Sequence, residues 1–223
     1  MAPNFPFPWS DPLLARLRAH LAAEPFARDA AHDLGHLLRV ARLAGRLAAE
    51  EGADAETCVA AALLHDLVYR PKNHPESSLT AGMAAEQVPE WCRATPGLEA
   101  KAEAVAAAVA THSWSGGGEP ATREAAVVQD ADRLEALGAI GIARVFATGA
   151  SFGAGLWHAE DPWAEARDLD DKAWSLDHFE RKLLKLAAGM KTSAGRRLAE
   201  ERQRTLLAYL AALRSELQVH SQP

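Results

Sequence analysis

Apolar residues recur at intervals of three and four along most of this chain, and this spacing limits the fold more than any other feature of the sequence. Leu13, Leu14, Leu17 and Leu21 show it near the start, and no segment alternates apolar and polar residues as a strand does. The composition is rich in Ala and Leu, and aromatic residues make up only 6%. Because Ala and straight-chain residues lose little freedom in a helix, the sequence predicts an all-α fold.

Capping residues and helix breakers divide the chain into predicted helices. Asp54 and Thr122 stand where N-caps are expected, and Gly52 stands where a helix is expected to end. Residues 149–176 are glycine-rich and irregular, and a loop of this length is usually functional or a lid. The helices are predicted at about 10–23, 34–51, 54–68, 78–87, 95–111, 122–146, 177–189 and 194–217.

Charge and missing motifs exclude several classes of protein. The formal net charge of −6 argues against general affinity for nucleic acid or anionic membranes, which requires surplus Lys and Arg. No run of eighteen apolar residues, no signal peptide, no P-loop and no G-x-S-x-G motif is present. Cys58 and Cys92 form no CxxC pair. We therefore expect a cytoplasmic protein without a membrane span or a disulfide framework.

The candidate metal ligands are a few His and Asp residues on different predicted helices. His36, His65, Asp66 and Asp132 together offer imidazole and carboxylate ligands, which suit divalent Mn, Fe, Co, Zn or Mg. Each of them alone is ordinary, because single histidines and aspartates occur on many helices without a ligand. Helical periodicity alone places Asp130, rather than Asp132, nearer the apolar stripe of its helix.

Three segments that contain these residues resemble the HD superfamily of metal-dependent phosphohydrolases. The segments are HDLGHLLRV, ALLHDLV and VVQDADRLEAL. The resemblance implies an HD-type helical bundle in which His36, His65, Asp66 and Asp132 hold a divalent ion. It also selects Asp132 over Asp130 as the ligand, against the periodicity. Mn is the expected metal, with Mg, Co, Fe and Zn as alternatives.

The similarity extends to a bacterial HD subgroup that hydrolyses nucleoside triphosphates to monophosphate and pyrophosphate. It is carried by DADRLEALGAIGIARVFA, EDPW, LDDK, DHFERKLLKL and MKTSAGRRLAEER. One position departs from related enzymes: some HD nucleotidases carry a Glu three residues after the HD aspartate, where this chain has Tyr69. The identity of the general base therefore stays open.

Further residues are candidates for contact with the substrate. Lys72, in a Pro-rich loop, and His112 are assigned to phosphate binding and catalysis, together with Asp66 as a catalytic residue. Arg133 is assigned to substrate binding, and Asp130 to catalysis through orientation of a ligand or a water. The alternatives are a solvated lysine for Lys72 and a helix-terminal histidine for His112. The tryptophans at 114, 157, 163 and 174 either stack on a base or anchor the long loop.

The sequence predicts a single-domain HD-type helical bundle with a C-terminal helical extension. Residues 1–27 form an N-terminal helix that packs on the core, 28–148 form the HD metal-binding core, and 149–223 complete the same domain. The expected partner is a small nucleotide or phosphoester, with no nucleic acid and no membrane. Alternative activities are phosphomonoesterase, phosphodiesterase or non-catalytic nucleotide binding. The sequence leaves the oligomeric state open.

Overall fold

The computed structural model describes residues 5–26, 28–71, 74–113 and 118–219. These residues contain no strand, only one isolated bridge between Gly155 and Trp174, so the predicted all-α fold is confirmed. Short 3₁₀ turns lie at Glu99–Lys101, Leu183–Lys185 and Ala187–Gly189. The α-helices are α1 (Ser10–Ala22), α2 (Leu34–Glu51), α3 (Ala55–Leu64), α4 (Thr80–Arg93), α5 (Ala102–Ala110), α6 (Arg123–Leu134), α7 (Gly138–Ser151), α8 (Asp177–Arg181) and α9 (Ser193–Val219).

The predicted caps form as expected. Gly52 adopts a left-handed conformation with φ 65° at the end of α2, which a residue without a side chain adopts at little cost. The Asp54 side chain accepts a hydrogen bond from the Glu56 amide at the start of α3. The Thr122 hydroxyl oxygen accepts one from the Ala125 amide at the start of α6. Local chemistry therefore determines these helix ends.

Two of the predicted helices are broken, and two others have different bounds. The helix predicted at 78–87 runs to Arg93, and the helix predicted at 95–111 begins at Ala102, after a 3₁₀ turn. The helix predicted at 122–146 is broken into α6 and α7, because Leu137 is extended and Gly138 takes a positive φ of 70°. The helix predicted at 177–189 ends at Arg181, since Lys182 leaves the helical region with φ −135°. Two 3₁₀ turns follow it. The periodicity of apolar residues continues through both breaks, so the spacing alone does not reveal them.

The chain divides into two compact units, with the boundary between Arg133 and Leu134. In the first unit α3 is buried along most of its length and packs between α2 and α5, while α4 packs on α5. The buried apolar residues of α2 recur at helical spacing and include Leu37, Val40 and Leu47. The predicted domain boundaries at 27/28 and 148/149 stay a prediction.

The second unit is built around α7 and α9, which pack against each other. Phe146 of α7, Phe179 of α8 and Tyr209 of α9 meet in one aromatic cluster, with ring centroids 5.9 to 6.3 Å apart. Arg167 forms two hydrogen bonds, of 2.6 and 2.8 Å, to the buried carboxylate of Asp177. This pair ties the long loop to the start of α8.

The tryptophans of the long loop contact residues of their own unit. Trp174 lies against Gly155, where an added Cβ would approach its ring to 2.6 Å. Arg214 of α9 stacks over the Trp163 ring at 4.3 Å.

Among the described residues, no single helix is long and apolar enough to cross a membrane. The bent pair α6 and α7 reaches that length and composition only when the two helices are taken together. Trp114 lies outside the described residues.

Candidate metal centre

Four helix ends of the first unit bring the predicted ligands together. His36 lies in the first turn of α2, and His65 and Asp66 follow the last residue of α3. Asp132 lies in the last turn of α6, and His112 follows the end of α5. All three histidines are buried, whereas the side chains of Asp66 and Asp132 are 19% and 23% exposed. The two carboxylates are therefore more exposed than the three imidazoles.

The ligand atoms of this cluster lie a few ångströms apart. His36 Nε2 is 3.4 Å from Asp132 Oδ1 and 4.0 Å from Asp66 Oδ2. His65 Nε2 is 3.6 Å from Asp66 Oδ2 and 3.7 Å from Asp132 Oδ1. His112 Nε2 is 4.0 Å from Asp66 Oδ1. Three imidazole nitrogens and two carboxylates therefore lie in one cluster.

Backbone carbonyls fix the tautomers of two of these histidines. His65 Nδ1 lies 2.8 Å from the Ala62 carbonyl oxygen, and His112 Nδ1 lies 2.6 Å from the Val109 carbonyl oxygen. Because a carbonyl only accepts, each Nδ1 carries the proton and donates it. Each Nε2 is then left with a lone pair that faces the cluster. This is the arrangement by which proteins orient metal-binding imidazoles.

His36 is positioned by the start of its own helix. Asp33 is the N-cap of α2, and its side chain accepts a hydrogen bond of 2.9 Å from the His36 amide. A side-chain oxygen at this position satisfies one of the backbone amides of the first turn. His36 lies edge-to-face on His65, with ring centroids 5.2 Å apart, and His65 lies the same way on His112 at 4.8 Å. The three rings thus hold one another in place.

Burial and charge set the protonation states of the cluster. Burial lowers the pKa of His65 to about 4, although Asp66 and Asp132 act in the opposite direction. Burial also raises the pKa of both carboxyl groups, but the histidines outweigh it. Of the groups that lower the pKa, the His65 charge acts most on Asp66 and the hydrogen bond from His36 acts most on Asp132, so the pKa of each lies well below its usual range. Both carboxylates are therefore ionised at neutral pH.

These residues fit a divalent transition-metal ion. Two ligands at about 2.1 Å from an ion are about 3.0 Å apart at a right angle and about 4.2 Å apart on opposite sides. The N···O distances of 3.4 to 4.0 Å fall within that range. Two groups of three ligand atoms, His36–His65–Asp66 and His65–His112–Asp132, each lie within 4.8 Å. A mixed imidazole and carboxylate set suits Mn, Fe, Co or Zn.

Comparison with known proteins assigns the chain to a family. The model of the HD domain matches residues 33–137, which include every residue of this cluster. YpgQ of Bacillus subtilis is 33% identical over 190 residues, which cover 83% of this chain and 84% of YpgQ. The chain belongs to the HD domain family. The HD dipeptide for which the family is named is His65-Asp66 in this chain.

Solved structures of HD proteins share the fold. The crystal structure of B. subtilis YpgQ in complex with ADP is 31% identical with a TM-score of 0.69, covering 93% of this chain and 94% of that chain. An HD-superfamily hydrolase of Bacillus thuringiensis is 28% identical with a TM-score of 0.65, covering 93% and 96% of the two chains. The chain is therefore similar to HD-superfamily hydrolases over almost its whole length.

The other predicted site residues differ in burial and in their charged neighbours. Asp130 is fully buried, and Arg133 is 8% exposed with Asp130, Asp132 and Glu119 as its charged neighbours. Burial lowers the pKa of Arg133, and these acids act against that. Arg133 thus lies among carboxylates beside Asp132, and its predicted substrate-binding role stays a prediction. Lys72 lies outside the described residues.

Sequence reasoning missed two features next to this HD cluster. Gln129 of α6 is fully buried, and its side-chain nitrogen donates to the carbonyl oxygens of Thr111 and Gly118 at 2.6 and 3.0 Å. It therefore holds the backbone beside His112. His32 is buried against His36, with ring centroids 5.9 Å apart. Helical spacing gives no signal for His32, because it precedes Asp33, the N-cap of α2.

Proposed function

We propose that the protein is a metal-dependent phosphohydrolase that converts nucleoside or deoxynucleoside triphosphates to monophosphate and pyrophosphate. The observation that carries the proposal is the convergence of three imidazole nitrogens and two carboxylates in a member of the HD family. A nucleotide substrate is supported by B. subtilis YpgQ, which was crystallised with ADP. The extended resemblance of the C-terminal segments favours the pyrophosphohydrolase reaction.

The ligand set assigned to the ion is His36, His65, Asp66 and Asp132. When bound, a divalent ion acidifies water and neutralises charge on phosphoryl oxygens. Mn is our choice, because imidazole and carboxylate together suit it. The side chains of Asp66 and Asp132 are 19% and 23% exposed, and in this proposal the substrate phosphates approach them rather than the buried histidines.

His112 is the fifth member of the cluster, and we assign it to the substrate. Its Nε2 lies 4.0 Å from Asp66 Oδ1, the carboxylate oxygen that faces away from His36 and His65. A phosphoryl oxygen beside Asp66 thus comes within reach of His112. Lys72 adds a positive charge for the outer phosphates in this proposal, because an acidic protein needs local cations to bind a triphosphate.

In this proposal Asp130 orients a metal ligand, and Arg133 contacts both a metal ligand and the substrate. Both are buried at the end of α6, and Asp130 and Asp132 are charged neighbours of Arg133. Groups that lie beside a metal ligand can orient it. We therefore keep Asp130 as an orienting residue, and we place Arg133 where it contacts both Asp132 and a bound phosphate.

Product analysis tests the proposal. Purified protein loaded with Mn is incubated with a panel of nucleoside triphosphates, monophosphates and cyclic diesters, and pyrophosphate and orthophosphate are measured separately. We expect pyrophosphate and monophosphate from triphosphates. Orthophosphate alone, or activity confined to monoesters or cyclic diesters, would contradict the pyrophosphohydrolase reaction. Metal binding without turnover of any phosphate substrate would favour a regulatory nucleotide-binding module.

A lysine variant tests how the triphosphate is held. Lys72→Ala should lower turnover of a triphosphate more than turnover of a small monoester, which has fewer phosphoryl oxygens to bind. Loss of one charge-assisted contact predicts a change of about tenfold or more in kcat/KM for the triphosphate. The exposed Lys185 in the second unit provides the matched control, since Lys185→Ala should leave both rates unchanged. An equal loss on both substrates would remove Lys72 from phosphate binding.

A further inference from the structure

Gln129 is a buried amide on the same helix as the predicted ligand Asp132. It is fully buried in α6, three residues before Asp132. Residues three apart are neighbours on one face of a helix, so α6 carries the amide and the carboxylate side by side. Within the described part of the chain, the hydrogen bonds of this amide go to backbone carbonyl oxygens.

The amide nitrogen of Gln129 joins two points of the backbone that are seven residues apart (118 − 111). Nε2 donates to the Thr111 carbonyl oxygen at 2.6 Å and to the Gly118 carbonyl oxygen at 3.0 Å. Because carbonyl oxygens only accept, the atom between them is the NH2 group, and both of its hydrogens are used. Gln129 thus satisfies two backbone groups with one side chain.

Thr111 directly precedes His112, and α5 no longer holds it. The helix ends at Ala110, and Thr111 lies outside the helical region with φ −110° and ψ 5°. The last carbonyl groups of a helix lack a partner within the helix, and the Gln129 amide provides one for Thr111. The His112 amide bonds the Val109 carbonyl oxygen at 3.4 Å, which is longer than the usual range of about 2.7–3.2 Å. The backbone at His112 therefore depends on the bond from α6.

Gly118 brings the second carbonyl group close to Thr111. A Cβ built on Gly118 would lie 3.1 Å from Thr111 Cγ2 and 3.2 Å from Thr111 Cα. These separations are shorter than the optimal contact of about 3.5–4.0 Å between carbon atoms. The absence of a side chain at Gly118 therefore lets the two backbone segments approach closely enough for one amide to reach both.

The position of the His112 ring follows from this backbone. Nδ1 donates to the Val109 carbonyl oxygen at 2.6 Å, and Nε2 lies 4.0 Å from Asp66 Oδ1. The ring also lies edge-to-face on His65, with centroids 4.8 Å apart. Since few rotatable bonds separate an imidazole from its backbone, a shift at Thr111 moves Nε2 relative to Asp66.

We infer that Gln129 is a positioning residue for substrate binding, which acts by fixing the backbone that places His112 Nε2 beside Asp66. This inference rests on the proposed function, in which His112 contacts a phosphoryl oxygen. One helix then holds both sides of the site, because α6 carries Asp132 directly and holds His112 through the Gln129 amide. A misplacement of about 1 Å in such a group can reduce catalytic efficiency by about 10²-fold.

A double-mutant cycle in the full-length chain tests the inference. Gln129→Met removes both donors and keeps the length of the side chain, His112→Ala removes the ring, and a third protein combines the two changes. Gln203→Met is the matched control, because the Gln203 amide also donates to a backbone carbonyl oxygen, that of Leu184 at 3.1 Å, in the second unit.

Two measurements are made on each protein. Calorimetry gives the affinity for Mn and, with Mn present, the affinity for a nucleoside triphosphate analogue with an α,β-imido bridge. Steady-state kinetics give kcat and KM on the corresponding triphosphate. Circular dichroism checks that the helices are retained.

We expect Gln129→Met to raise KM and the dissociation constant of the analogue by about 5- to 20-fold, as for the loss of a substrate contact. Its kcat and its Mn affinity should stay within about threefold of wild type, because the interaction lost is present before and during the reaction. His112→Ala should have an effect on KM at least as large. The double variant should match His112→Ala, since without the ring Gln129 has no group left to position. Gln203→Met should match the wild type in every quantity.

Gly118→Ala disturbs the same junction from the other side. Its Cβ displaces Thr111 and leaves the Gln129 side chain unchanged. It should raise KM in the same direction as Gln129→Met, and the effect should disappear in the His112→Ala background. This variant decides the question by the same criteria if Gln129→Met does not fold.

Other outcomes contradict the inference in different ways. Additive effects of Gln129→Met and His112→Ala would overturn it and leave the proposed function standing, because Gln129 would then act independently of His112. A Mn affinity reduced more than threefold in Gln129→Met would also overturn it, because the amide would then support the metal ligands. A wild-type protein that binds Mn but neither binds the analogue nor turns over the triphosphate would overturn the proposed function, and the inference with it.

Discussion

Hydrogen bonds position each histidine of the cluster. For His65 and His112 the bond is made by the ring, and for His36 it is made by the backbone amide. Carbonyl oxygens do this for His65 and His112, and the capping Asp33 does it for the backbone of His36. Burial keeps these bonds out of competition with water, which makes them stronger than exposed ones. These groups therefore orient the predicted ligands, and we expect removal of a ligand to affect ion binding more than the helices.

Replacing either half of the HD dipeptide tests this view. His65→Ala or Asp66→Ala should abolish Mn retention and phosphohydrolase activity, because the remaining ligands no longer complete the coordination of the ion. Helical content should be largely unchanged, since the core of α3 consists of its apolar residues. Metal content by mass spectrometry, turnover and circular dichroism measure these three effects. Asp11→Ala, an exposed position in α1, is the control. A metal-replete, active variant of His65 or Asp66 would remove the residue from the site.

Asp132 and Asp130 provide a second comparison at this scale. Asp132→Asn should reduce Mn affinity sharply, because Asp132 Oδ1 lies 3.4 Å from His36 Nε2 and its charge helps to hold the ion. Asp130→Asn should reduce Mn affinity less than Asp132→Asn does. Its main effect should be to lower kcat by about 10- to 100-fold, as for residues that orient ligands. Calorimetry with Mn ranks the two affinities. The reverse ranking would show that helical periodicity, and not the family motif, identifies the ligand.

At the scale of the elements, the break between α6 and α7 depends on close backbone packing. Gly141 lies in the first turn of α7, and a Cβ built there would come within 2.3 Å of the Ala136 carbonyl oxygen. Backbone atoms give way less readily than the end of a flexible side chain. The residues between the two helices therefore require a glycine at this position.

Two glycine variants measure that requirement. Gly141→Ala should destabilise the protein by about 1–3 kcal/mol through overpacking. Gly82→Ala, in α4, should stabilise it by about 0.5–1 kcal/mol, because nothing lies within 4 Å of the added Cβ and Ala favours a helix. Thermal unfolding should shift by about 2–4 °C per kcal/mol, down for the first variant and up for the second. Equal shifts of the same sign would show that the clash at Ala136 relaxes freely.

At the scale of the whole molecule, an ion bound in the first unit should stabilise the folded chain. Mn at a hundredfold excess over its dissociation constant contributes about 2.7 kcal/mol if it binds only the folded state. The unfolding temperature should then rise by about 5–10 °C on Mn addition and fall again with a chelator. His65→Ala should show no such rise. A Mn-induced shift that persists in His65→Ala would place the ion at another site.

The sequence by itself determined the helical class, several helix ends and the family. Apolar spacing fixes the buried face of α2, and Asp54, Thr122 and Gly52 act on groups within a few residues of themselves. The HD motif likewise is a local pattern. Features of this kind are readable from sequence, because the interacting groups are neighbours along the chain.

Only the tertiary structure decided which distant groups meet. It separated α6 from α7, whose apolar spacing is continuous in sequence, because Gly138 turns the backbone and Gly141 meets Ala136. It brought His112 to Asp66 and joined Asp29, His32 and Tyr69 into one network next to His36. These contacts span up to 46 residues of chain between Asp66 and His112 (112 − 66). The contacts of His112 with Asp66 and of Tyr69 with Asp29 are not encoded in the spacing of neighbouring residues, since they depend on how distant segments of the chain pack against one another.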